Sequence, residues 1–192
     1  MEKPSDVLTK EQILSATEET LRRFGISKTS VTDVAKVLGV SHGTIYRHFN
    51  SKAELLEGVT EKWLNEKIIA PLSKVCLDSS LTGASLLKRY IQTLVELKHY
   101  YARDDDEMFR MYTRVTEQAA ELIEQHIDHI VEQLAGIITR EGITSDQPAQ
   151  LARTLFYATA RFHHPAHAYE WKNPKIDQEF SDVWALLEHG IS

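Results

Sequence analysis

Apolar residues recur along most of this chain at intervals of three and four, the period of an amphipathic helix, and no stretch alternates at the two-residue period of a strand. The first run, Ile13, Leu14, Ala16, Thr17, Thr20, Leu21 and Phe24, follows Thr9, which is suited to cap a helix, and stops at Gly25. A run from Lys52 to about Leu72 places Leu55, Leu56, Val59, Trp63, Ile68 and Ile69 among Glu and Lys, with Pro71 expected to end or kink it. Asp78 to Gly83 reads as a loop. The stretch from Ala84 to Arg103 is apolar nearly all round, as a helix central to a bundle would be. A short helix from Met108 to about Arg114 and a long one from Thr116 to Arg140, stopped by Gly142, follow an acidic turn at Asp104 to Glu107. Asp146 and Pro148 open the next helix, which Pro165 should break near Arg161 and Phe162. The last, from about Ile176 to Gly190, carries Phe180, Val183, Trp184, Leu186 and Leu187. The polar residues Met1 to Leu8, with Pro4, read as a loose arm. The expectation is an all-α chain of about nine helices, with a three-helix head over residues 1–52, joined by a fourth helix to a helical body over 53–192.

The stretch Thr29 to Lys52 is the most informative. Ser30-Val31-Thr32-Asp33 spells a capping box, in which Ser30 and Asp33 satisfy each other's backbone N–H. Val31, Val34, Ala35 and Leu38 share one face, Gly39 stands where a left-handed residue would stop the helix, and Ser41 caps a second helix from His42 to Phe49. Two short helices joined by a glycine turn form a helix-turn-helix, whose second helix enters the major groove of DNA. Ile45 and Phe49 are four apart and face inward, leaving His42, Gly43, Thr44, Tyr46, Arg47 and His48 outward. His42 and Thr44 lie in the first turn, where base edges are read, and Gly43 lets the backbone approach. Tyr46, Arg47 and His48 can donate to phosphate oxygens. Lys52, at the start of the next helix, suits a phosphate as well. Thr32 and Ser41 complete the set of expected DNA contacts.

The run from Val31 to Lys52, VTDVAKVLGVSHGTIYRHFNSK, resembles the DNA-binding domain of the TetR family of bacterial repressors, and the resemblance extends over about residues 9–58. It implies a DNA-binding regulator, and no departure from the family's pattern occurs in the run. It also implies that the last two helices of two subunits form a four-helix dimer interface, expected through Phe162, His163, Phe180, Val183, Trp184 and Leu187. A two-fold dimer would present two recognition helices to a palindromic operator. The helical body would hold a small-molecule effector, in a pocket expected among Tyr90, Tyr101, Phe109, Tyr112, Phe156 and Phe162.

A net charge of −6 argues at first against a nucleic-acid partner. The distribution reverses that argument. Residues 1–52 hold eight Lys and Arg against six Asp and Glu, a net +2, leaving −8 on residues 53–192, so an acidic body would repel DNA and leave the head to dock. No stretch approaches the ~20 apolar residues that span a bilayer. The N-terminus lacks the apolar core of a signal peptide, and the single cysteine, Cys76, fits a reducing cytoplasm.

Other chemistry is thin. His163 and His167 are four apart, and His126 and His129 three apart, spacings that can chelate a metal or sense pH. No cysteine stands near and no carboxylate has ligand spacing, so packing histidines at a helix break are preferred and neither metal nor cofactor is expected. There is no P-loop, nucleophile elbow, H-E-x-x-H or paired-Cys motif, so no enzyme is expected. Two functions remain: a dimeric repressor released from its operator by a small molecule, and a DNA-anchored regulator whose body binds a protein partner.

Overall fold

Stretches with a helical period fold as helices, and the elements below come from a computed structural model that describes residues 8–143 and 145–191. The polar arm expected over residues 1–8 lies outside the described residues except for Leu8. The helices are α1 (Lys10–Phe24), α2 (Val31–Leu38), α3 (His42–Tyr46), α4 (Lys52–Leu64), α5 (Ala70–Cys76), α6 (Gly83–Asp104), α7 (Asp106–Gln118), α8 (Ala120–Arg140), α9 (Pro148–Ala158), α10 (Ala160–His163) and α11 (Ile176–Ile191). No strand occurs among the described residues, so the chain is all-α, with a helix-turn-helix at its N-terminal end.

Several boundaries differ from the sequence reading, each for a local reason. Pro71 does not end its helix. A π-helical turn, Asn65–Ile69, lies between α4 and α5, and the Ala70 N–H reaches back five residues to the Asn65 carbonyl. A proline has no N–H to give and its ring crowds the carbonyl four residues back; the wider turn absorbs both problems and the helix runs on to Cys76. The helix expected from Thr116 begins instead at Ala120, because Ala119 leaves the helical region and closes α7. Asp146 does not cap α9. Gln147 holds that position without a side-chain bond, and its N–H is taken by the Ser145 hydroxyl. The break before Pro165 falls at Thr159, and His164 is extended, as the residue before a proline prefers.

The chain forms two compact units, one running to Lys62 and including Asp105–Ala119, the other made of Trp63–Asp104 and the chain from Ala120 onward. The division expected after residue 52 thus falls ten residues later, and α7 joins the head unit.

In the head, Ile13, Val34, Ile45, Phe49 and Leu55 form one buried cluster, with Leu14, Leu38 and Val40 packed on it. Phe24, expected to face this core, is instead exposed beside the Arg23 guanidinium. Gly58 of α4 makes the packing close. A Cβ there would stand 3.1 Å from Leu14 Cδ2 and 3.2 Å from Phe49 Cε1. Charges tie α7 to α1: the Arg22 guanidinium donates to Asp105 through Nε at 3.1 Å and Nη2 at 2.9 Å, and to Glu18 at 2.7 Å. Lys62 Nζ of α4 stands 3.5 Å from both Glu11 and Glu18.

In the body, α6 is central, lined by α5, α8, α10 and α11. A partly buried polar relay crosses it, with the Tyr90 hydroxyl donating to Gln133 Oε1 at 2.8 Å and Gln133 Nε2 donating to Ser73 Oγ at 2.8 Å. Less expected are Lys98 on α6, 2% exposed, His126 on α8, and His163 on α10, all buried in the same unit.

Phe162, His163, Phe180 and Trp184 are buried within their own subunit, Trp184 completely. Phe162 and Phe180 pack edge to face at 5.3 Å. They therefore do not serve as the expected dimer surface; Val183 and Leu187 are half-buried, and Leu186 of the same helix is 77% exposed. Trp184→Glu would bury an unpaired charge, so the expected outcome is unfolding of the body, read as loss of near-ultraviolet circular dichroism and of the cooperative melt. A folded Trp184→Glu monomer would contradict this placement.

The buried bases also set a pH dependence. Burial, reinforced by the Lys98 charge, pushes His163 down to about 3, and burial pushes Lys98 down to about 7. In both cases the unfolded chain, with ordinary values of about 6.5 and 10.4, binds more protons than the folded one. Stability is therefore lost as pH falls from about 6.5 toward 3, and rises as pH climbs from about 7 toward 10, by at most about 1.4 kcal/mol per pH unit for each group. In urea titrations across pH, His163→Gln should flatten the acid limb and Lys98→Met the alkaline limb. Unchanged slopes would show that these residues do not carry the effect.

Candidate nucleic-acid interface

The interface is built on the turn between α2 and α3. Ser30 Oγ accepts from the Asp33 N–H at 3.2 Å, and Asp33 Oδ2 accepts from the Ser30 N–H at 3.1 Å, completing the capping box. The Ser30 hydroxyl also donates to Asp33, and this bond first of all holds the Asp33 carboxyl below its ordinary range. Gly39 takes the left-handed conformation at φ 66°, and the Val40 N–H returns to the Ala35 carbonyl at 3.0 Å, closing the turn. A side chain at Gly39 would meet no neighbour within 4 Å, so the strain of its φ alone accounts for the glycine.

Helix α3 is five residues long, shorter than the expected His42 to Phe49. The His48 and Phe49 N–H groups both return to the Ile45 carbonyl, so the chain turns tightly after Tyr46 and still buries Phe49. Ser41 caps α3, its Oγ accepting from the Thr44 N–H at 3.2 Å. His42, Gly43, Tyr46 and Arg47 are exposed, Thr44 and His48 are half-buried, and Thr32 is exposed at the start of α2. The outward face read from the sequence is thus the face that the fold leaves open.

The side chains on this face constrain one another. The Thr44 hydroxyl lies 3.0 Å from Ser41 Oγ and accepts from Arg47 Nη2 at 3.3 Å. Those bonds hold the guanidinium along the helix and orient the Thr44 hydroxyl. His42 and Tyr46 meet edge to face at 6.3 Å, one turn apart.

Ser51 caps the start of α4: the Glu54 N–H donates to Ser51 Oγ at 3.0 Å, while the Glu54 carboxylate accepts from Asn50, through its N–H at 2.6 Å and Nδ2 at 2.8 Å. Asn50 was not singled out in the sequence; an Asn one residue before a cap is the signal for it. Lys52 Nζ lies 3.5 Å from the Ile26 carbonyl, which draws it back over the α1–α2 loop. Lys10 Nζ stands 5.5 Å from the centre of the Phe49 ring, a cation–π contact within the head unit.

The residues expected around an effector do not share one unit. Phe109 and Tyr112 belong to the head unit, whereas Tyr90, Tyr101, Phe156 and Phe162 belong to the body. Tyr90 and Phe162 are fully buried, the first with its hydroxyl committed to Gln133. Cys76 is half-buried, and burial pushes its thiol up, away from a reactive thiolate. No described helix is long and apolar enough to cross a membrane.

The comparisons agree with this geometry at both ends of the chain. Residues 13–59 match the family model "Bacterial regulatory proteins, tetR family", and residues 84–184 match "Tetracyclin repressor-like, C-terminal domain". The HTH-type transcriptional regulator TtgR of Pseudomonas putida is 40% identical over 53 residues, 28% of this chain and 25% of that protein, so the match spans about a quarter of TtgR. The nucleoid occlusion factor SlmA of Aliivibrio fischeri is 28% identical over 197 aligned residues, 95% of each chain. Among solved structures, Thermus thermophilus FadR, a TetR-family repressor in complex with lauroyl-CoA, shares the fold at a TM-score of 0.65 and 20% identity, over 96% of this chain and 95% of that one. With one model covering the helix-turn-helix and the other more than half of the chain, this protein belongs to the TetR family and is a DNA-binding transcriptional regulator.

Proposed function

We propose that the protein is a homodimeric repressor that leaves a palindromic operator when a small molecule binds its body. The observation that carries the DNA-binding half is the exposed crown of α3, with His42 and Thr44 in its first turn and Ile45 and Phe49 buried beneath. In this reading His42 and Thr44 touch bases, Tyr46, Arg47, His48 and Lys52 touch phosphates, and Thr32 and Ser41 fix the register. Two subunits pair through the α9 to α11 side. Tyr157, Tyr169 and Leu186 are exposed there, and Val183 and Leu187 are half-buried. Pairing would set two α3 helices about one DNA turn apart, ~34–36 Å. The regulator would act in the cytoplasm, where the chromosome lies.

The release half rests on chain connectivity. The chain crosses from head to body within α4, after Lys62, and again on either side of α7. A ligand that shifts the body would therefore act on the head through α4, whose first turn carries Lys52, and through α7, tied to α1 by Arg22 and Asp105. That FadR binds lauroyl-CoA supports a small effector for this fold. The likeness to SlmA along the whole chain favours a second reading, in which the body meets a protein partner while the head holds DNA.

Two experiments test these assignments. After selection of an operator from random duplexes, Thr44→Ala should shift preference at one base position by about 1–3 kcal/mol. Lys52→Ala should weaken binding to all sequences alike and reduce the salt slope by about one unit. A Lys52→Ala protein with altered sequence preference would show the roles to be misassigned. For release, a coupling of about 1–3 kcal/mol gives a 5–150-fold change in operator affinity, and the operator must weaken effector binding by the same factor. Equal effector affinity with and without operator duplex would rule out the coupling and bring the protein-partner reading forward.

A further inference from the structure

Ser41, Thr44 and Arg47 form one hydrogen-bonded chain on the outward side of α3. Ser41 Oγ accepts from the Thr44 N–H at 3.2 Å and lies 3.0 Å from Thr44 Oγ1, and Arg47 Nη2 donates to Thr44 Oγ1 at 3.3 Å. Ser41 and Arg47 are exposed and Thr44 is half-buried, so the chain lies at the surface. Ile45, next to Thr44 in sequence, is fully buried and fixes the side of the helix from which Thr44 emerges.

A hydroxyl has one hydrogen to give and two lone pairs with which to accept. At Thr44 the guanidinium takes one lone pair. If the Ser41 hydroxyl donates to Thr44, the second lone pair is taken as well, and Thr44 faces outward with its hydrogen alone. If Thr44 donates instead, Ser41 Oγ accepts both that hydrogen and the Thr44 N–H, and the Ser41 hydrogen is the one left to point outward. In either arrangement the pair presents a donor. The lone pair that stays open on Thr44 in the second arrangement sits beside a positive charge, which makes that oxygen a poorer acceptor for a further N–H.

We infer that Arg47 is a positioning residue that sets base specificity through Thr44: it commits the Ser41 and Thr44 hydroxyls to donating, so that the base facing them must offer an acceptor. In the major groove guanine offers N7 and O6 and thymine offers O4, whereas cytosine offers only the N4 donor and is rejected. Adenine, with the N7 acceptor beside the N6 donor, falls between. Without the guanidinium, Thr44 regains an open lone pair and can turn its hydroxyl either way, so cytosine becomes tolerable. The inference rests on the reading in which Thr44 touches a base. It gives Arg47 a role that a phosphate contact alone would not have, and the guanidinium keeps further N–H groups for a phosphate.

The test uses the full-length protein and a duplex selected by it from a random pool, remade with each base in turn at the position whose preference Thr44→Ala changes most. Affinities are measured for the wild-type protein, Thr44→Ala, Arg47→Met and the double variant. Met keeps the unbranched stem of the exposed Arg47 and removes its donors. The wild-type protein is expected to bind the cytosine duplex weakest, roughly fivefold to twentyfold below guanine or thymine. Arg47→Met should lower affinity for every duplex and, beyond that, shrink the discrimination against cytosine by roughly threefold or more. With Thr44→Ala already in place, the same substitution should lower all affinities alike. A wild-type protein that does not bind cytosine weakest, an unchanged ratio in Arg47→Met, or the same loss of ratio in the Thr44→Ala background would overturn the inference. If Thr44→Ala changes preference at no position, the base-reading role of Thr44 falls and this inference with it. A preference that depends on Thr44 but not on Arg47 sinks the inference alone.

Discussion

Burial of Ile45 and Phe49 is the constraint on which the DNA-facing surface depends. Helix α3 has only five residues, too few to be stable as an isolated helix, so its orientation comes from those two side chains and from the cap at Ser41. The core that receives them is small, and three helices of this size are marginal alone. The head therefore borrows. Gly58 lets α4 close onto Leu14 and Phe49, and the Arg22 to Asp105 pair brings α7 against α1. Partly exposed ion pairs of this kind contribute about 1 kcal/mol or less, so they set position more than stability.

That borrowing has a consequence for regulation. Helices α4 and α7 serve the head's stability and are also continuous in chain with the body. A change in the body that displaced either would reach the small core beneath α3. The proposed release by an effector would need only a modest free-energy coupling between the two sites, and a marginal core is easier to bias by that amount than a large one.

The body follows a different economy. Its central helix α6 is apolar on most sides, yet it buries Lys98. The Tyr90, Gln133 and Ser73 relay shows polar groups of this unit satisfying one another.

The sequence by itself determined the local chemistry of the head. The Ser30 and Asp33 capping box, the left-handed Gly39, the Ser41 cap and the inward pair Ile45 and Phe49 follow from rules that act within four residues, and so the outward face of α3 was legible from the sequence. The all-helical class was equally legible from the three-four period. What only the tertiary structure decided depends on distant partners. An apolar stripe reveals that a face is covered but not by what, so Trp184 and Phe180 were read as a dimer surface although their own subunit covers them. The tie between α7 and α1 depends on Arg22 meeting a carboxylate 83 residues away, and the burial of Lys98, His126 and His163 depends on helices far apart in the chain. Periodicity is set by bonds along the backbone, whereas burial and electrostatic company are set by which helices pack together.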